Sequence, residues 1–409
     1  MEAASRPGGR GLGTITGPIR ITTRQQRAPG PPLCAATSKY CLEKTRARIK
    51  LVKPPSNPST TFQHNATPAK TRVRKPVGNP FTPILETFTQ LQKEGPQPEG
   101  LRAFSVRPFP GRPQHHLAID GQGAPAVLLQ ATGNPIFHFG VPHLGVEHDV
   151  LCNITHADGT RDQHKFLVVR CRGDDAGIHA YFLNVVGGAV LALPDDATTH
   201  DVAEMTRHIA YVLAYLNREP RLASPELWAE VFIIARATDT AQAVQVWRDH
   251  PENTYSFGVD GKHAEVKCTV GKGRQHNFSL KQLRLPFDGG DVTILSLKLQ
   301  PSRTEVTLGE LIQDVRARLL HDREMLKRFD CNVAMALGKT LVRALSTGFD
   351  TRLAARNLRL MAPEDVPCLS TALPEGISDL RFTVDVASVP ASKVTPQDSL
   401  HVALNIPRS

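Results

Sequence analysis

The sequence predicts an α/β protein: a core around a small mixed sheet, preceded by an antiparallel sheet. Three observations predict it. Five short apolar segments between residues 102 and 171 are separated by Gly, Pro, Asp and Asn, which suits antiparallel strands. From residue 224 onward the periodicity runs helix, hairpin, strand, helix, the order of an α/β layer. Asp260-Gly261 stands between two apolar strand segments as a two-residue turn signal.

Taken in order, residues 81–92 (FTPILETFTQLQ) have apolar groups at helical spacing. Strands are expected at 102–108, 116–120, 126–130, 150–154 and 166–171. Residues 180–190 are ambiguous between helix and buried strand, and 202–217 predict a helix. Ser224-Pro225-Glu226 opens the next helix, with Ser as N-cap, Pro in the first turn and an acid complementing the helix dipole. That helix should reach about Ala237, burying Leu227, Trp228, Val231 and Ile234. Glu230 then lies beside the buried face, where an unpaired carboxylate is costly. The hairpin over 254–268 follows, with a strand at 264–269. A turn or short helix is expected at 277–285, a buried strand at 292–299, and helices at 308–320 and 324–345. Strands at 380–387 and 400–405 close the chain. The expected division is 1–78 as a tail, 79–219 as an α+β region, 220–330 as the core and 331–409 as an α+β extension.

Composition narrows the function classes. The chain has 409 residues, 40% hydrophobic and 22% charged, ordinary values for a globular protein. No apolar run reaches ~18 residues and no signal-peptide core opens the chain, so neither a membrane span nor secretion is expected. The seven cysteines form no C-x-x-C, which points away from a zinc site and towards a reducing, cytoplasmic setting. Residues 1–78 hold 15 Lys+Arg and 2 acids, or +13, which leaves −3 on the other 331 residues of a chain at +10. This tail is rich in Pro, Gly, Ser and Thr and cannot bury enough apolar surface to offset its ordering entropy, so disorder is expected. It reads as a basic arm for phosphate backbones, a targeting peptide or an inert extension.

The chemistry concentrates in TYSFGVDGKHAEVKC, residues 254–268. Glu265 and Lys267 are two apart on a strand and share a face, while Val266 turns to the core. Such an acid and lysine can hold a Mg²⁺ ion and orient a water, because Mg²⁺ takes oxygen ligands and keeps several waters. Glu230 could approach from the preceding helix. The other reading is an exposed strand face with an ion pair, since an acid-x-Lys triplet arises by chance about once or twice in a chain this long. Asp260-Gly261-Lys262 is such a triplet, read as a turn with a solvated lysine.

An ordered set of residues shifts the balance between these readings. Ala229-Glu230-Val231 on the helix, Trp247 ahead of the hairpin, Phe257, then Glu265-Val266-Lys267 and Ser279-Leu280-Lys281-Gln282-Leu283 come in sequence, and LPEGISDLRFTVD at 373–385 follows. Together they resemble the PD-(D/E)XK nuclease-like proteins of the restriction-endonuclease-like superfamily, in particular a bacterial subgroup found among phage-defence genes. The resemblance covers residue 79 to the end. It implies a restriction-endonuclease-like core and Mg²⁺- or Mn²⁺-dependent DNA cleavage. Glu265 and Glu230 would hold the metal, Lys267 would stand near the water and Gln282 would touch the site. It also implies DNA and other defence-system proteins as partners, and leaves a dimer open.

One residue departs from the pattern. Ser256 stands where the resembled family has Asp before Phe, nine residues ahead of Glu265. A hydroxyl is a neutral and weaker Mg²⁺ ligand, so a nuclease fold that binds DNA without cutting, or a structural subunit of a defence complex, is the rival expectation. Asp260, Asp249 and Glu252 are the candidates for a relocated acid. Lys272 and Arg274, in the loop after the strand, are expected to reach DNA phosphates or simply solvent. His115-His116 and His138-Phe139-Gly140 read as strand or loop histidines, Cys268 as core packing, and the charges of 314–323 as a solvated helix face.

Overall fold

The computed structural model describes residues 79–94, 100, 102–130, 139–248, 253–284, 290–369, 380–391, 400 and 403–404. The expectations for residues 1–78, His138, Asp249 and Glu252 fall outside them.

Helix α1 (Thr82–Glu94) buries Ile84, Phe88 and Leu91 along one stripe, with Phe81 just ahead of it. Six strands follow: β1 (Ala103–Phe109), β2 (Arg112–Ile119), β3 (Pro125–Leu129), β4 (Phe139–Val141), β5 (Leu144–Thr155) and β6 (Arg161–Cys171). Their order is β1-β2-β3-β6-β5-β4, and β1 also pairs in parallel with β5, which closes five strands into a small barrel. Strand alternation divides their side chains between two cores. Phe104, Val106, Ala118, Leu128, Ile154 and Phe166 fill the inner cluster. Leu117, Val127, Leu129, Leu167 and Val169 turn the other way into the main core.

The ambiguous segment at 180–190 is helical. It lies in α2 (Ala176–Leu191), capped by Asp175 and apolar on nearly all sides, as suits a helix surrounded by protein. Helix α3 (Thr199–Ala214) starts with a Thr198–Asp201 capping box.

The core then runs through α4 (Ser224–Arg236), α5 (Thr240–Val246), β7 (Phe257–Val259), β8 (Lys262–Thr269), β9 (Gln275–Ser279), α6 (Leu280–Leu283) and β10 (Asp291–Lys298). It continues with α7 (Leu308–Leu319), α8 (Arg323–Leu337), α9 (Leu341–Ala344), α10 (Thr351–Arg356), β11 (Arg359–Met361) and β12 (Arg381–Asp385). The central sheet has the order β11-β10-β8-β7. It is mixed: β7 and β11 are antiparallel to their neighbours, and β8 is parallel to β10. A parallel pair needs a crossover, and β9 with α6 supplies it. β9 itself pairs with β12 in a separate two-stranded ribbon. One apolar cluster runs from Phe81 through α2, α3, α4 and α7 to Leu404.

Asp260 and Gly261 take φ of 48° and 71°, both positive, as a tight hairpin turn demands. In α4 the helix begins at Ser224 and the preceding residue is its N-cap. The Glu226 carboxylate accepts the Ala223 N–H at 3.0 Å and does the capping expected of the serine. The helix expected over 324–345 stops at Leu337, because Gly338 turns to φ 46°. The turn or short helix expected at 277–285 is helix α6 at Leu280–Leu283, with strand β9 running into the first residues of that segment, and Leu400 and Ala403 are helical where a strand was expected. The solvated face expected at 314–323 holds for Arg318, which is exposed and pairs with the half-buried Asp314 at 2.6 Å. It fails for Arg316, which is 1% exposed and bonds Asp330 on α8 at 2.6 Å. Among the described residues, no helix is long and apolar enough to cross a membrane.

Gly338 combines a positive φ with close backbone packing. A Cβ there would lie 2.3 Å from the carbonyl oxygen of Arg218. Gly338→Ala is therefore expected to lower unfolding free energy by roughly 2–4 kcal/mol, read from urea denaturation midpoints.

Candidate functional site

Helix α4 delivers Glu230 to the interior. Leu227, Val231 and Ile234 bury the helix on the core, and the turn spacing carries Glu230 inward with them, to 3% exposure. The hairpin delivers the other members. Ala264 and Val266 of β8 pack inward, so Glu265 and Lys267 share the opposite face. Ser256 immediately precedes β7.

These groups meet. The Ser256 hydroxyl donates to Glu230 Oε1 at 2.8 Å and stands 3.2 Å from Glu265 Oε2. The Ser256 backbone N–H donates to that same Oε2 at 3.0 Å, and the Val266 N–H donates to Ser256 Oγ at 3.2 Å. Glu265 Oε1 accepts from Gln282 Nε2 at 2.6 Å and lies 2.9 Å from Lys267 Nζ. Lys267 Nζ also sits 5.3 Å over the Phe278 ring. Glu230 Oε2 takes the indole N–H of Trp247 at 3.0 Å and the guanidinium of Arg248. Both carboxylates are thus deeply buried, each paired with a cation and each bonded by neutral donors, as buried charge requires.

Burial raises the Glu265 carboxyl above the ordinary carboxylate range, and the Lys267 ammonium beside it works in the opposite direction. Burial likewise pushes the Cys268 thiol up to about 12, so it remains a neutral thiol packed on the core.

The cluster forms part of the wall of a groove of about 1150 Å³. Arg221, Arg248, Lys267, Lys281 and Arg381 line it together with Glu226, Glu230 and Glu265, an excess of cations.

Arg274 is a correction. It is 4% exposed, and its guanidinium is held by Ser296 Oγ at 2.7 Å and the Asn357 carbonyl at 2.8 Å. It braces the sheet and cannot reach a phosphate. Lys272 is exposed but does not line the groove. Asp260 sits exposed in the hairpin turn, away from Ser256, and supplies no third acid. Among the described residues, no group of three or more His, Cys, Asp or Glu could hold a metal ion. The donor set for a cation is therefore two carboxylates and a hydroxyl. That oxygen-only set fits Mg²⁺, which takes one or two carboxylates and completes its shell with water and substrate phosphate.

Arg248 and the Glu230 contact of Trp247 were missed from sequence. The signal was present: a glutamate on a buried helix face needs a cation, and Trp247-Arg248 stands just ahead of the hairpin.

A family model described as "Putative PD-(D/E)XK family member, (DUF4420)" matches residues 84–387. The chain belongs to this PD-(D/E)XK family. Neither the curated proteins nor the solved structures compared with it gave a match. The mixed sheet with α4 on its face is consistent with the α/β core of that family, and PD-(D/E)XK enzymes generally use divalent metals.

Two outcomes follow from the electrostatics of this PD-(D/E)XK site. Burial beside Arg274 lowers His276 to about 4, while the unfolded residue titrates near 6.5. The unfolded chain therefore takes up the proton first as pH falls. The contribution of neutral His276 is fully present above pH ~6.5 and lost as pH falls to about 4. The stability difference between wild type and His276→Asn should shrink by up to about 3 kcal/mol over that interval, measured by urea unfolding. Secondly, Ser256→Asp adds a third buried carboxylate. Without divalent ions its melting temperature should fall below that of the wild type. With Mn²⁺ it should rise by more than that of the wild type, since an ion at 100 times its dissociation constant adds about 2.7 kcal/mol of stability to the chain that binds it.

Proposed function

We propose that the protein is a divalent-metal-dependent DNA endonuclease, acting in bacterial restriction or phage defence as the sequence resemblance implies. The observation that carries the reading is the meeting of Glu230 and Glu265 at one hydroxyl, 2.8 and 3.2 Å from Ser256 Oγ, beside Lys267 in an open, cation-rich groove. Glu230 and Glu265 would hold the ion, with Ser256 as a weak third ligand. A bound Mg²⁺ or Mn²⁺ would neutralise charge on the scissile phosphate and lower the pKa of a coordinated water. Lys267, held 2.9 Å from Glu265, is placed to hydrogen-bond the attacking water or a phosphoryl oxygen. Gln282 fixes the rotamer of Glu265 and so the direction of its free lone pairs. Residues 220–330 carry this chemistry, and residues 79–219 and 331–409 support it.

A second reading has its own observation. Arg248 on Glu230 and Lys267 on Glu265 already neutralise both acids. A site balanced in this way suits a nuclease fold that binds DNA without cleaving it, or serves as a subunit of a larger assembly.

Supercoiled plasmid incubated with the full chain and Mg²⁺ or Mn²⁺ separates the two. The hydrolase reading expects nicking that falls about 100-fold or more in Lys267→Ala and Glu265→Ala. Cleavage by Ser256→Asp alone would mean that the missing acid silences the site. Plasmid left intact by every variant would leave the binding reading.

A further inference from the structure

The ribbon β9–β12 forms one side of the groove, and its two faces differ. His276, Phe278 and Val384 point into a small apolar core with Ile294 and Met361. Gln275, Asn277, Arg381 and Thr383 alternate with them, are exposed, and line the same groove as Glu265 and Lys267. The register sets Thr383 opposite Asn277 and Arg381 opposite Ser279. Thr383 Oγ1 donates to Asn277 Oδ1 at 2.7 Å, which restrains the orientation of the amide. The ribbon is rigidly joined to the acidic cluster. Ser279 ends β9 and caps α6, whose Gln282 binds Glu265, and Phe278 lies under Lys267.

We propose that this ribbon reads base edges in the major groove of duplex DNA, with Gln275 and Asn277 as specificity-determining residues. The inference rests on the hydrolase reading for its view of the groove as a nucleic-acid cleft. The major groove of B-form DNA admits a two-stranded ribbon, and side-chain amides match the paired donor and acceptor of adenine. A-form RNA closes that route, because its major groove is deep and narrow. The charges lining the cleft divide the work. Arg221 and Lys281 carry charge complementary to phosphate, which positions the duplex without reading it. The amides on the ribbon carry none, so they add little to non-specific affinity. An amide already fixed by Thr383 loses little freedom on binding, which is what a reading residue requires.

The test is selection of bound sequences from a random duplex DNA pool by the full-length protein, in calcium chloride and separately in EDTA. Plasmid cleavage in Mg²⁺ is followed in parallel. The wild type should enrich a motif. Gln275→Ala and Asn277→Ala, both on an exposed face, should keep the wild-type melting temperature. Each should lose about tenfold discrimination at one or two base pairs. Lys281→Ala should weaken binding to all sequences alike and reduce the salt slope by about one. A pool left unselected, a motif unchanged in both amide variants, or equal competition by duplex RNA would overturn the proposal. Selective binding without cleavage would sink the hydrolase reading and leave this one standing. Cleavage with no sequence preference would do the reverse.

Discussion

The structure around the site depends on burying two carboxylates at one point. Glu230 and Glu265 come from different elements, and like charges this close repel strongly where water is scarce. The hydroxyl of Ser256 stands between them. It has a single proton, and the shorter contact, 2.8 Å against 3.2 Å, favours donating it to Glu230. Glu265 is served instead by the Ser256 backbone N–H, Gln282 and Lys267. The elements packed around the two acids contribute donors: Trp247 and Arg248 ahead of the hairpin, Lys267 on β8 and Gln282 on α6. Moving any one of them would leave a buried charge short of a partner, so the site ties together the elements that surround it.

The sheet connectivity makes this convergence available. Because β8 and β10 are parallel, the chain must leave the sheet between them and return. The excursion is β9 and α6, and it brings Gln282 back onto Glu265. The same excursion creates the ribbon with β12, so a C-terminal strand becomes a wall of the groove. The crossover therefore completes the first contacts of Glu265 and presents an exposed polar face beside them. The groove and its acids are products of one topological step.

Much of this was legible in the sequence where periodicity and turn chemistry agree. The α4 stripe, the Asp260-Gly261 turn and the alternation around Val266 follow from local rules, and they bring Glu230, Glu265 and Lys267 to a common region. What local rules cannot show is pairing across distance. The segment 277–285 reads as a turn or short helix, and α6 forms there at Leu280–Leu283. Residues 275–279 become a strand only because residues about 100 positions later supply their partner. Arg274 and Arg316 fail for a related reason. Both look like surface cations, and their burial depends on Ser296, Asn357 and Asp330 arriving from other elements. A charge pattern records which groups a segment carries, while their exposure is decided by the elements that pack over them. Closure of the barrel through β1 and β5 is equally non-local.

Ser256 changes the electrostatics of the site more than its geometry. With two acids, Arg248 and Lys267 bring the cluster to neutrality without a metal. A third acid at the same position would leave a net negative charge at a residue now 1% exposed. Such a charge would demand a cation and would raise the affinity of the site for one, at a cost to the metal-free fold. The serine relaxes that demand. It keeps the backbone N–H on Glu265 and the hydroxyl on Glu230, so the two carboxylates stay in register. A cation reaching this site meets ligands already engaged with internal cations, and it must compete with Arg248 for Glu230. In the proposed function, substrate phosphate would alter that competition. It would bring negative charge into the groove, give Arg248 and Lys267 another partner, and supply oxygens that the protein's own ligand set lacks. Under the proposed function, metal and nucleic acid would favour one another's binding, and a ribbon that orients the duplex would determine how often the two arrive together.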